Sequence, residues 1–497
     1  MKISVKQGNL EQANVDTIIV NLFQGVTEPG GATGAIDKAL DGAITELIAG
    51  GDFSGKAGDV AVVYTRGAIP ARRVIIAGLG KRDGFDLEGA RRAAAAAMKR
   101  ARSLKAERVA TIVHGAGVAG LPVAAAAQAT AEGSLLALYR YDAPKAREEE
   151  PHDIKSLAVV EYDQEKIEEI VAGVETAAAL TEGVALARNL VNMPPNKATP
   201  KRMAKAAKKI AKAHDMALTV GGRKWAKKRD MGAFLAVAQG AGEKPKFIVL
   251  EHNAEREDLD TVVLVGKGIT FDTGGISIKP TQGMGAMKGD MGGAAAVLGA
   301  MKVVGLLDLP LRVIGITPCT ENMPDADAYR PADVITASNG KTIEIISTDA
   351  EGRMVLADGL VYAKHFEPKA VIDLATLTGS SQVALGKGVA GSLFSTDDTL
   401  RDKLVAAGQS VHERVWPMPL WDDYRKTIDS DVADVKNSGG RMGGVGTAAM
   451  FLKEFTDFPW AHIDMAGMEL RDSDGDYTPP GGTGYGVRLL IELLRNW

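Results

Sequence analysis

Short apolar runs alternate with segments of helical periodicity along almost the whole chain, and this alternation limits the fold more than any other feature. In the first third, the apolar runs predict strands at residues 17–21, 59–65, 73–77, 108–114 and 156–161. Later runs predict strands at residues 246–250, 261–265, 311–316, 342–346 and 370–374. Helical patterns, such as those at residues 35–48 and 87–103, lie between them. The order predicts an α/β fold in which helices flank a central mixed sheet.

One long helical segment divides the chain into two parts. Its apolar stripe includes Ile167, Ile170 and Val174, and charged residues lie on the opposite face. The pattern stops before the paired prolines at residues 194 and 195, because proline cannot continue a helix. A chain of 497 residues is long enough for two or three domains. We predict a smaller N-terminal α/β domain at residues 1–162, a connector helix at 163–189 and a larger catalytic α/β domain at 190–497.

The composition is that of an ordinary soluble protein. Apolar residues make up 45% and charged residues 25% of the chain, and the net charge of −4 gives no general attraction to nucleic acid or membranes. No uninterrupted apolar stretch reaches the ~18 residues of a membrane span, and the first residues lack the apolar core of a signal peptide. The single cysteine, Cys319, suits a reducing compartment. We therefore predict a cytoplasmic protein with a buried, unreactive thiol and no membrane partner.

Charged residues are concentrated among glycines just beyond two of the predicted strands. They are Lys267, Asp272, Lys279 and Asp290 after the strand at 261–265, and Asp349, Glu351 and Arg353 after the strand at 342–346. Ligand sites in open α/β sheets form beyond the carboxyl ends of strands, so we expect these side chains to meet in one crevice. Carboxylate oxygens are hard ligands that suit divalent cations. The cluster therefore predicts a dinuclear metal hydrolase.

Each of these residues also has a purely structural explanation. Asp290 and Asp349 could cap the helices predicted after them, and Glu351 would be favourable in a first helical turn. Lysines taken singly are more often surface groups, and Arg353 could lie on an ordinary helix face. These separate explanations would have to hold for all the charged residues at once, whereas one metal site accounts for them together.

The segment TDAEGR at residues 348–353 resembles the signature of the leucyl aminopeptidase family, cytosolic peptidases with two metal ions. Further similar segments are NLVN at 189–192, GKGITFD at 266–272, SIKP at 277–280, ENMP at 321–324, ATLTG at 375–379, WAHID at 460–464 and TGYGVR at 483–488. The first 160 residues resemble the family only in general layout. The resemblance implies an aminopeptidase that releases leucine and other apolar residues from peptide N-termini. It also implies assembly as a homohexamer.

The resemblance implies a set of metal ligands. Lys267, Asp272, Asp290 and Glu351 would hold one ion. Asp272, Asp349 (through its side chain and main chain) and Glu351 would hold the other. A lysine ligand has to be neutral, and neighbouring dications would lower its pKa. Such oxygen-plus-amine ligation suits Mn²⁺ or Zn²⁺, and two ions sharing a water would acidify it for attack on the peptide carbonyl.

Other residues are implied in the reaction and in substrate binding. Lys279 would stabilise the oxyanion electrostatically, and Arg353 would hold a bicarbonate that acts as general base. The pocket for the substrate's first side chain would be lined by Met287, Thr376 and Gly379. The family usually has an asparagine at the position of Ser347, where it helps to hold the substrate backbone. The shorter serine in this chain bears on substrate positioning.

Two other signals indicate different functions. The glycine-rich segment at residues 115–120 fits a dinucleotide-binding fingerprint, but the acidic residue that should follow a second strand is missing, so we interpret it as a turn. Residues 201–229 contain eleven lysines and arginines and a single acid, Asp215. We favour a solvated helix face for this basic segment. The alternative function is a DNA-binding or regulatory protein on the same fold, which would contact DNA through this segment.

Overall fold

The computed structural model describes residues 1–116, 120–144 and 152–497. These residues form two compact units. The N-terminal unit comprises Met1–Thr181 and Ser473–Pro479, and the C-terminal unit comprises Glu182–Asp472 and Pro480–Trp497. The dividing position lies inside a helix, Ile167–Asn192. The domain boundaries predicted at residues 162 and 189 stay a prediction, and the glycine turn predicted at 115–120 lies partly outside the described residues.

Among the described residues, the N-terminal unit contains a sheet of six strands. They are β1 (Lys2–Gln7), β2 (Thr17–Phe23), β3 (Val60–Tyr64), β4 (Arg73–Gly80), β5 (Arg108–Thr111) and β6 (Ser156–Glu161). The strand order is β1-β6-β5-β2-β4-β3, and neighbours are parallel except for β3 and β4. The helices of this unit are α1 (Gly31–Ala39), α2 (Ala43–Ala49), α3 (Leu87–Ser103), α4 (Val123–Leu136) and the first part of α5 (Ile167–Asn192).

Strand β2 shows how the sequence places helices on both faces of this sheet. Successive strand side chains point to opposite faces. Ile18 and Val20 accordingly pack in one apolar cluster with Ile36 of α1, whereas Ile19 packs in another cluster with Ala97 of α3. A strand that is buried on both faces has a continuous run of apolar residues, which is why β2 could be predicted from the sequence.

The single helix predicted at residues 35–48 is wrong, because the structure has two helices there. Gly42 adopts a positive φ of 82°, which breaks the helix between α1 and α2. The carboxylate of Asp37 then accepts the backbone N–H of Ile44 at 2.7 Å and that of Thr45 at 3.1 Å. Helical periodicity continues across this break, so the apolar pattern alone did not reveal it.

The C-terminal unit contains the remaining strands. They are β7 (Ala217–Gly221), β8 (Lys246–His252), β9 (Thr261–Gly266), β10 (Gly268–Asp272), β11 (Arg312–Asn322), β12 (Val334–Thr336), β13 (Thr342–Glu344), β14 (Ala370–Ala375), β15 (Gly391–Ser395), β16 (Val415–Pro417), β17 (Val435–Lys436), β18 (Trp460–Asp464), β19 (Leu470–Arg471) and β20 (Gly481–Gly482). Within the described chain, the main sheet has the order β16-β15-β18-β14-β9-β11-β8-β7, and β10 pairs with β11. Both parallel and antiparallel pairs occur, so the predicted mixed sheet is confirmed.

Helices accompany this sheet, as the alternation of apolar runs predicted. They are α6 (Pro200–Ala213), α7 (Arg223–Lys227), α8 (Gly232–Val237), α9 (Gly292–Leu307), α10 (Glu351–Ala363), α11 (Gly379–Leu385), α12 (Asp398–Ser410), α13 (Asp422–Lys426), α14 (Gly444–Lys453) and α15 (Val487–Arg495). Short 3₁₀ helices lie at Leu10–Gln12, Gln164–Lys166, Met284–Gly289 and Lys364–Phe366. Val355 and Leu356 of α10 join a large core cluster with Val263 and Val265 of β9.

One predicted strand of the C-terminal unit needs correction. The strand predicted at residues 342–346 ends at Glu344 and belongs to a separate sheet with the order β12-β13-β17. The main chain after β13 is instead held by side-chain contacts: Asn437 Oδ1 accepts the N–H of Ile346 at 2.8 Å. The segment leading to Asp349 is therefore positioned by an amide side chain rather than by the main sheet.

Two helical segments among the described residues are long and apolar enough to cross a membrane. They span Gln164–Asn192 and Met284–Leu307. In the most apolar 18-residue stretch of each segment, 56% and 78%, respectively, is buried inside the protein. Such burial is also found in the core helices of folded proteins, so this finding is weak support for a membrane span.

Cys319 is a buried free cysteine, and burial raises the pKa of its thiol to about 12, which agrees with the predicted unreactive group.

Candidate metal centre

Three buried carboxylates meet near the carboxyl end of β9. Asp272 ends β10, Asp290 follows the 3₁₀ helix Met284–Gly289, and Glu351 is the first residue of α10. One oxygen of each carboxylate lies within 4.8 Å of the others. Their exposed fractions are only 2%, 6% and 1%. Three negative charges in so small a buried volume require a positive partner.

Lys267 supplies part of the positive charge. It follows β9 directly, and its Nζ donates to Asp290 Oδ1 at 2.7 Å and lies 2.8 Å from Glu351 Oε1. A second hydrogen bond of 2.9 Å runs to the carbonyl oxygen of Thr376, just beyond β14. Because β9 and β14 are neighbouring parallel strands, their ends bring Lys267 and Thr376 together.

Lys279 lies on a second side of the cluster. Its Nζ is 2.9 Å from Asp272 Oδ2 and 2.5 Å from Asp349 Oδ1. Its side chain is 22% exposed, whereas that of Lys267 is only 3% exposed. The five residues predicted as metal ligands therefore lie in one ion-paired cluster, and the more accessible lysine links Asp272 to Asp349.

Two carboxylate oxygens in this cluster are left without a partner. Asp290 Oδ2 and Glu351 Oε2 are buried and make no hydrogen bond to any described residue. A buried anionic oxygen without a donor is costly, since it loses its water without replacement. Bound cations would satisfy both oxygens, so the donor set fits divalent metal ions.

Burial and the neighbouring charges act in opposite directions on the pKa of Lys267. Burial lowers the pKa of Lys267, but the charges of Asp290, Glu351 and Asp272 outweigh it and raise the pKa overall. Burial also raises the pKa of the Asp290 and Glu351 carboxyls. A dication bound to the same carboxylates would act on Lys267 in the opposite direction and favour its neutral form.

The structural explanations for Asp290 and Asp349 are wrong. Helix α9 has Met291 at its N-cap and α10 has Ala350, and neither cap makes a side-chain hydrogen bond. Glu351 is the first residue of α10, and Asp349 reaches the cluster through Lys279.

Two residues that hold the cluster were missed by sequence reasoning. Asn322 donates from Nδ2 to Asp272 Oδ1 at 2.8 Å and to the Thr348 carbonyl at 3.0 Å. The buried hydroxyl of Tyr329 donates to the same carbonyl at 2.9 Å. Asn322 lies in the family-like segment ENMP and at the end of β11, which was a usable signal. Nothing in the sequence around Tyr329 indicated this contact.

Arg353 is buried on α10 rather than on a solvated helix face. It is 7% exposed, and one guanidinium nitrogen donates to the Asn437 carbonyl at 2.8 Å. Its Nε is buried and has no hydrogen-bond partner among the described residues. Burial lowers the pKa of Arg353 to about 10. An unpaired buried donor on a cation is suited to a small anion.

The predicted substrate-pocket residues lie on three different elements. Met287 is half-buried in the 3₁₀ helix that precedes Asp290, and Gly379 is the exposed first residue of α11. Thr376 is buried, and its hydroxyl donates to Asp290 Oδ1 at 2.8 Å. Ser347 has a different contact from the one expected of the family asparagine, because its Oγ accepts the N–H of Asp349 at 3.2 Å.

The basic segment has the form of a solvated helix face. The exposed lysines of α6 are Lys201, Lys205, Lys208, Lys209 and Lys212. Met203, Ala207 and Ile210 on the opposite side of the same helix are buried. Trp225 packs against Phe247 at 5.3 Å between ring centroids, so this aromatic belongs to the core rather than to a stacking surface.

An α/β fold whose strand ends carry a buried cluster of carboxylates and lysines defines a metal-dependent hydrolase. Comparison with known proteins identifies the family. The sequence profile of the catalytic domain of the cytosol aminopeptidase family matches residues 185–491, and the profile of its N-terminal domain matches residues 19–148. The chain belongs to the cytosol aminopeptidase family.

Individual relatives match over nearly the whole chain. A probable cytosol aminopeptidase of Roseiflexus castenholzii is 44% identical over 501 residues, covering 100% of this chain and 99% of the relative. One of Syntrophotalea carbinolica is 46% identical over 464 residues, covering 92% and 93%. These matches confirm the predicted class, a metal-dependent aminopeptidase, and give no support to the DNA-binding or regulatory alternative.

Solved structures agree with this family assignment. A mutant of tomato leucine aminopeptidase superposes with a TM-score of 0.89 at 34% identity, covering 100% of this chain and 97% of the other. The bottromycin maturation enzyme BotP in complex with Mn gives a TM-score of 0.85 at 34% identity, covering 97% and 99%. The second structure shows a related protein with manganese.

Proposed function

We propose that this enzyme removes N-terminal residues, with leucine and other apolar side chains favoured, by a reaction that uses two divalent metal ions. The observation that carries the proposal is the buried cluster of Asp272, Asp290 and Glu351 with Lys267 among them. The names of relatives support peptides as substrates. The cluster lies beyond the carboxyl ends of strands, where ligand sites form in open α/β sheets.

The residues that would hold the two ions divide into two sets. Lys267, Asp290, Asp272 and Glu351 would hold one ion, and Asp272, Asp349 and Glu351 would hold the other. The unpartnered oxygens of Asp290 and Glu351 support the first set. The half-exposed carboxylate of Asp349 supports the second, since its ion would face the open side of the site. Mn²⁺ and Zn²⁺ both suit these ligands, and the manganese complex of BotP favours testing Mn²⁺ first.

Two positively charged residues would act on the substrate and the water. When bound, two divalent ions lower the pKa of a shared water and polarise the scissile carbonyl. The Lys279 ammonium, already directed at the carboxylates, would stabilise negative charge that develops on the carbonyl oxygen. The unpaired Nε of Arg353 supports a bicarbonate there as the general base.

The test is hydrolysis of a leucine amide or anilide by protein stripped of metal. We expect little turnover after treatment with a chelator and at least roughly a tenfold rise when Mn²⁺ or Zn²⁺ is restored, because the nucleophile depends on the ions. Elemental analysis of the active protein should give two ions per chain. Equal rates in stripped and restored protein would contradict the proposal.

We also propose that the enzyme is a cytoplasmic homohexamer, with peptides as its substrates. The relatives named cytosol aminopeptidases support the location. Family membership supports the assembly. Sedimentation velocity at micromolar concentration should show a species of about six times the 52.2 kDa chain mass. A protein that sediments only as a monomer would exclude the hexamer.

A further inference from the structure

Glu469 is a half-buried carboxylate that the proposed reaction does not use. It lies in the loop between β18 and β19, and its Oε2 accepts the N–H of Gly467 at 2.7 Å. Glu469 forms no ion pair with any described residue. Lys387, whose charge lowers the pKa of the Glu469 carboxyl, forms its ion pair with Asp472 at 2.5 Å instead. An anionic group that is partly removed from water and has no cation partner would be stabilised by a positively charged ligand.

The stem of Glu469 packs against the segment that leads into the metal centre. A methyl group added at Gly292 would lie 3.0 Å from Glu469 Cβ and 3.6 Å from the methyl carbon of Thr376. A methyl group added at Gly289 would lie 3.4 Å from Glu469 Cγ. Gly289 belongs to the same 3₁₀ helix as Met287. Glu469 therefore lies close to Thr376 and beside the 3₁₀ helix that carries Met287.

The same loop packs against the element that carries the third pocket residue. A methyl group added at Gly467 would lie 2.9 Å from Gln382 Cγ on α11, the helix that begins at Gly379. At the start of the loop, Asp464 accepts the backbone N–H of Leu377 at 3.1 Å and the hydroxyl of Thr378 at 2.7 Å. The loop is thus fixed between the 3₁₀ helix and α11.

We propose that Glu469 lines the pocket for the substrate's first side chain and gives the enzyme activity on N-terminal lysine and arginine as well as on apolar residues. This inference rests on the proposed function, since it assigns Glu469 to the pocket of that same site. Lysine and arginine have an aliphatic stem that can lie against Met287 and Thr376, and a cationic end that can reach a carboxylate. A leucine side chain uses only the apolar part of such a pocket.

The environment of Glu469 supports a charge-based role. Burial raises the pKa of its carboxyl, and the nearby charge of Asp464 adds to this effect. A bound ammonium or guanidinium would act in the opposite direction and lower this pKa. At a site that is partly shielded from water, a hydrogen bond between charged groups is stronger than one between neutral groups. The preference for a basic side chain should therefore depend on the charge of Glu469 and not only on its shape.

The test compares Glu469→Gln with the unchanged enzyme on arginine amide and leucine amide. Glutamine keeps an oxygen that can accept from Gly467, so the loop should stay in place while the charge is lost. We expect the ratio of kcat/KM for the arginine substrate to that for the leucine substrate to fall by about tenfold or more. Glu469→Met should lower the ratio at least as far, because it removes the polar end of the side chain as well as its charge.

Glu492→Gln is the matched control, since it makes the same change at a half-buried position on α15. It should leave the ratio unchanged. An unchanged ratio in Glu469→Gln and Glu469→Met, with leucine amide still hydrolysed, would overturn the assignment of Glu469 while leaving the proposed function standing. Metal-dependent hydrolysis of neither substrate by the unchanged enzyme would instead overturn the proposed function itself.

Discussion

Glu351→Gln is expected to lower the turnover of a leucine substrate by roughly a thousandfold or more and to leave the protein folded. Mutation of residues that hydrogen-bond to metal ligands typically lowers activity by about 10–100-fold. Glu351 is proposed to contact both ions directly, so its loss should have a larger effect. Glutamine has the same shape but is neutral, so it cannot bridge two dications as a carboxylate does. The remaining amide oxygen could still accept from Lys267, which lies 2.8 Å from Glu351 Oε1. The expected loss is therefore one of chemistry rather than of folding.

The measurement combines kcat with Mn²⁺ present, the metal content of the purified variant, and its thermal unfolding. Glu367→Gln is a suitable control, because Glu367 is exposed just after α10 and offers the same change of charge on the same part of the chain. The control should retain full activity. If Glu351→Gln kept its rate and both ions, Glu351 would not be a bridging ligand.

The sequence predicted the elements whose physical signal is local. The run at residues 261–265 became β9 with one further residue, because a strand buried on both faces must be apolar throughout. The charged residues beyond β9 were recognisable because lysine and aspartate among glycines have no role in such a core. Helix α3 was predicted with its observed limits, and Asp86 caps it by accepting the N–H of Gly89 at 2.8 Å.

Features that depend on contacts between distant residues could not be predicted in this way. Asp349 is separated by 70 residues from Lys279, and its approach depends on a loop held by Asn437 rather than on strand geometry. The contact of Tyr329 with the Thr348 carbonyl joins residues that no periodic pattern relates. Glu469 likewise lies near Gly292 only because a loop returns to the site after β18. A single sequence gives the identity of each residue but not these contacts between residues that lie far apart along the chain.

Lys267→Met is expected to have a large effect that depends on whether metal is present. In protein kept in a chelator, Lys267 is the buried cation between Asp290 and Glu351. Removing one partner of a buried ion pair typically costs about 3–5 kcal/mol, because the other charge is left buried and unpaired. We expect the free energy of unfolding in chelator to fall by about this amount. Turnover should also fall, since the proposed ligand is lost.

Metal ions should reduce the stability loss of Lys267→Met, because dications neutralise the same carboxylates. Unfolding by denaturant, with chelator and with saturating Mn²⁺, measures this difference directly. Lys302→Met is the control: Lys302 lies on α9 and pairs with Glu182 at 2.8 Å, and its side chain is 26% exposed. Such accessible pairs contribute only about 0–1 kcal/mol, with or without metal. Equal destabilisation of Lys267→Met in both conditions would mean that the ions do not occupy the carboxylate cluster, since only ions bound there can take over the charge of the lost ammonium.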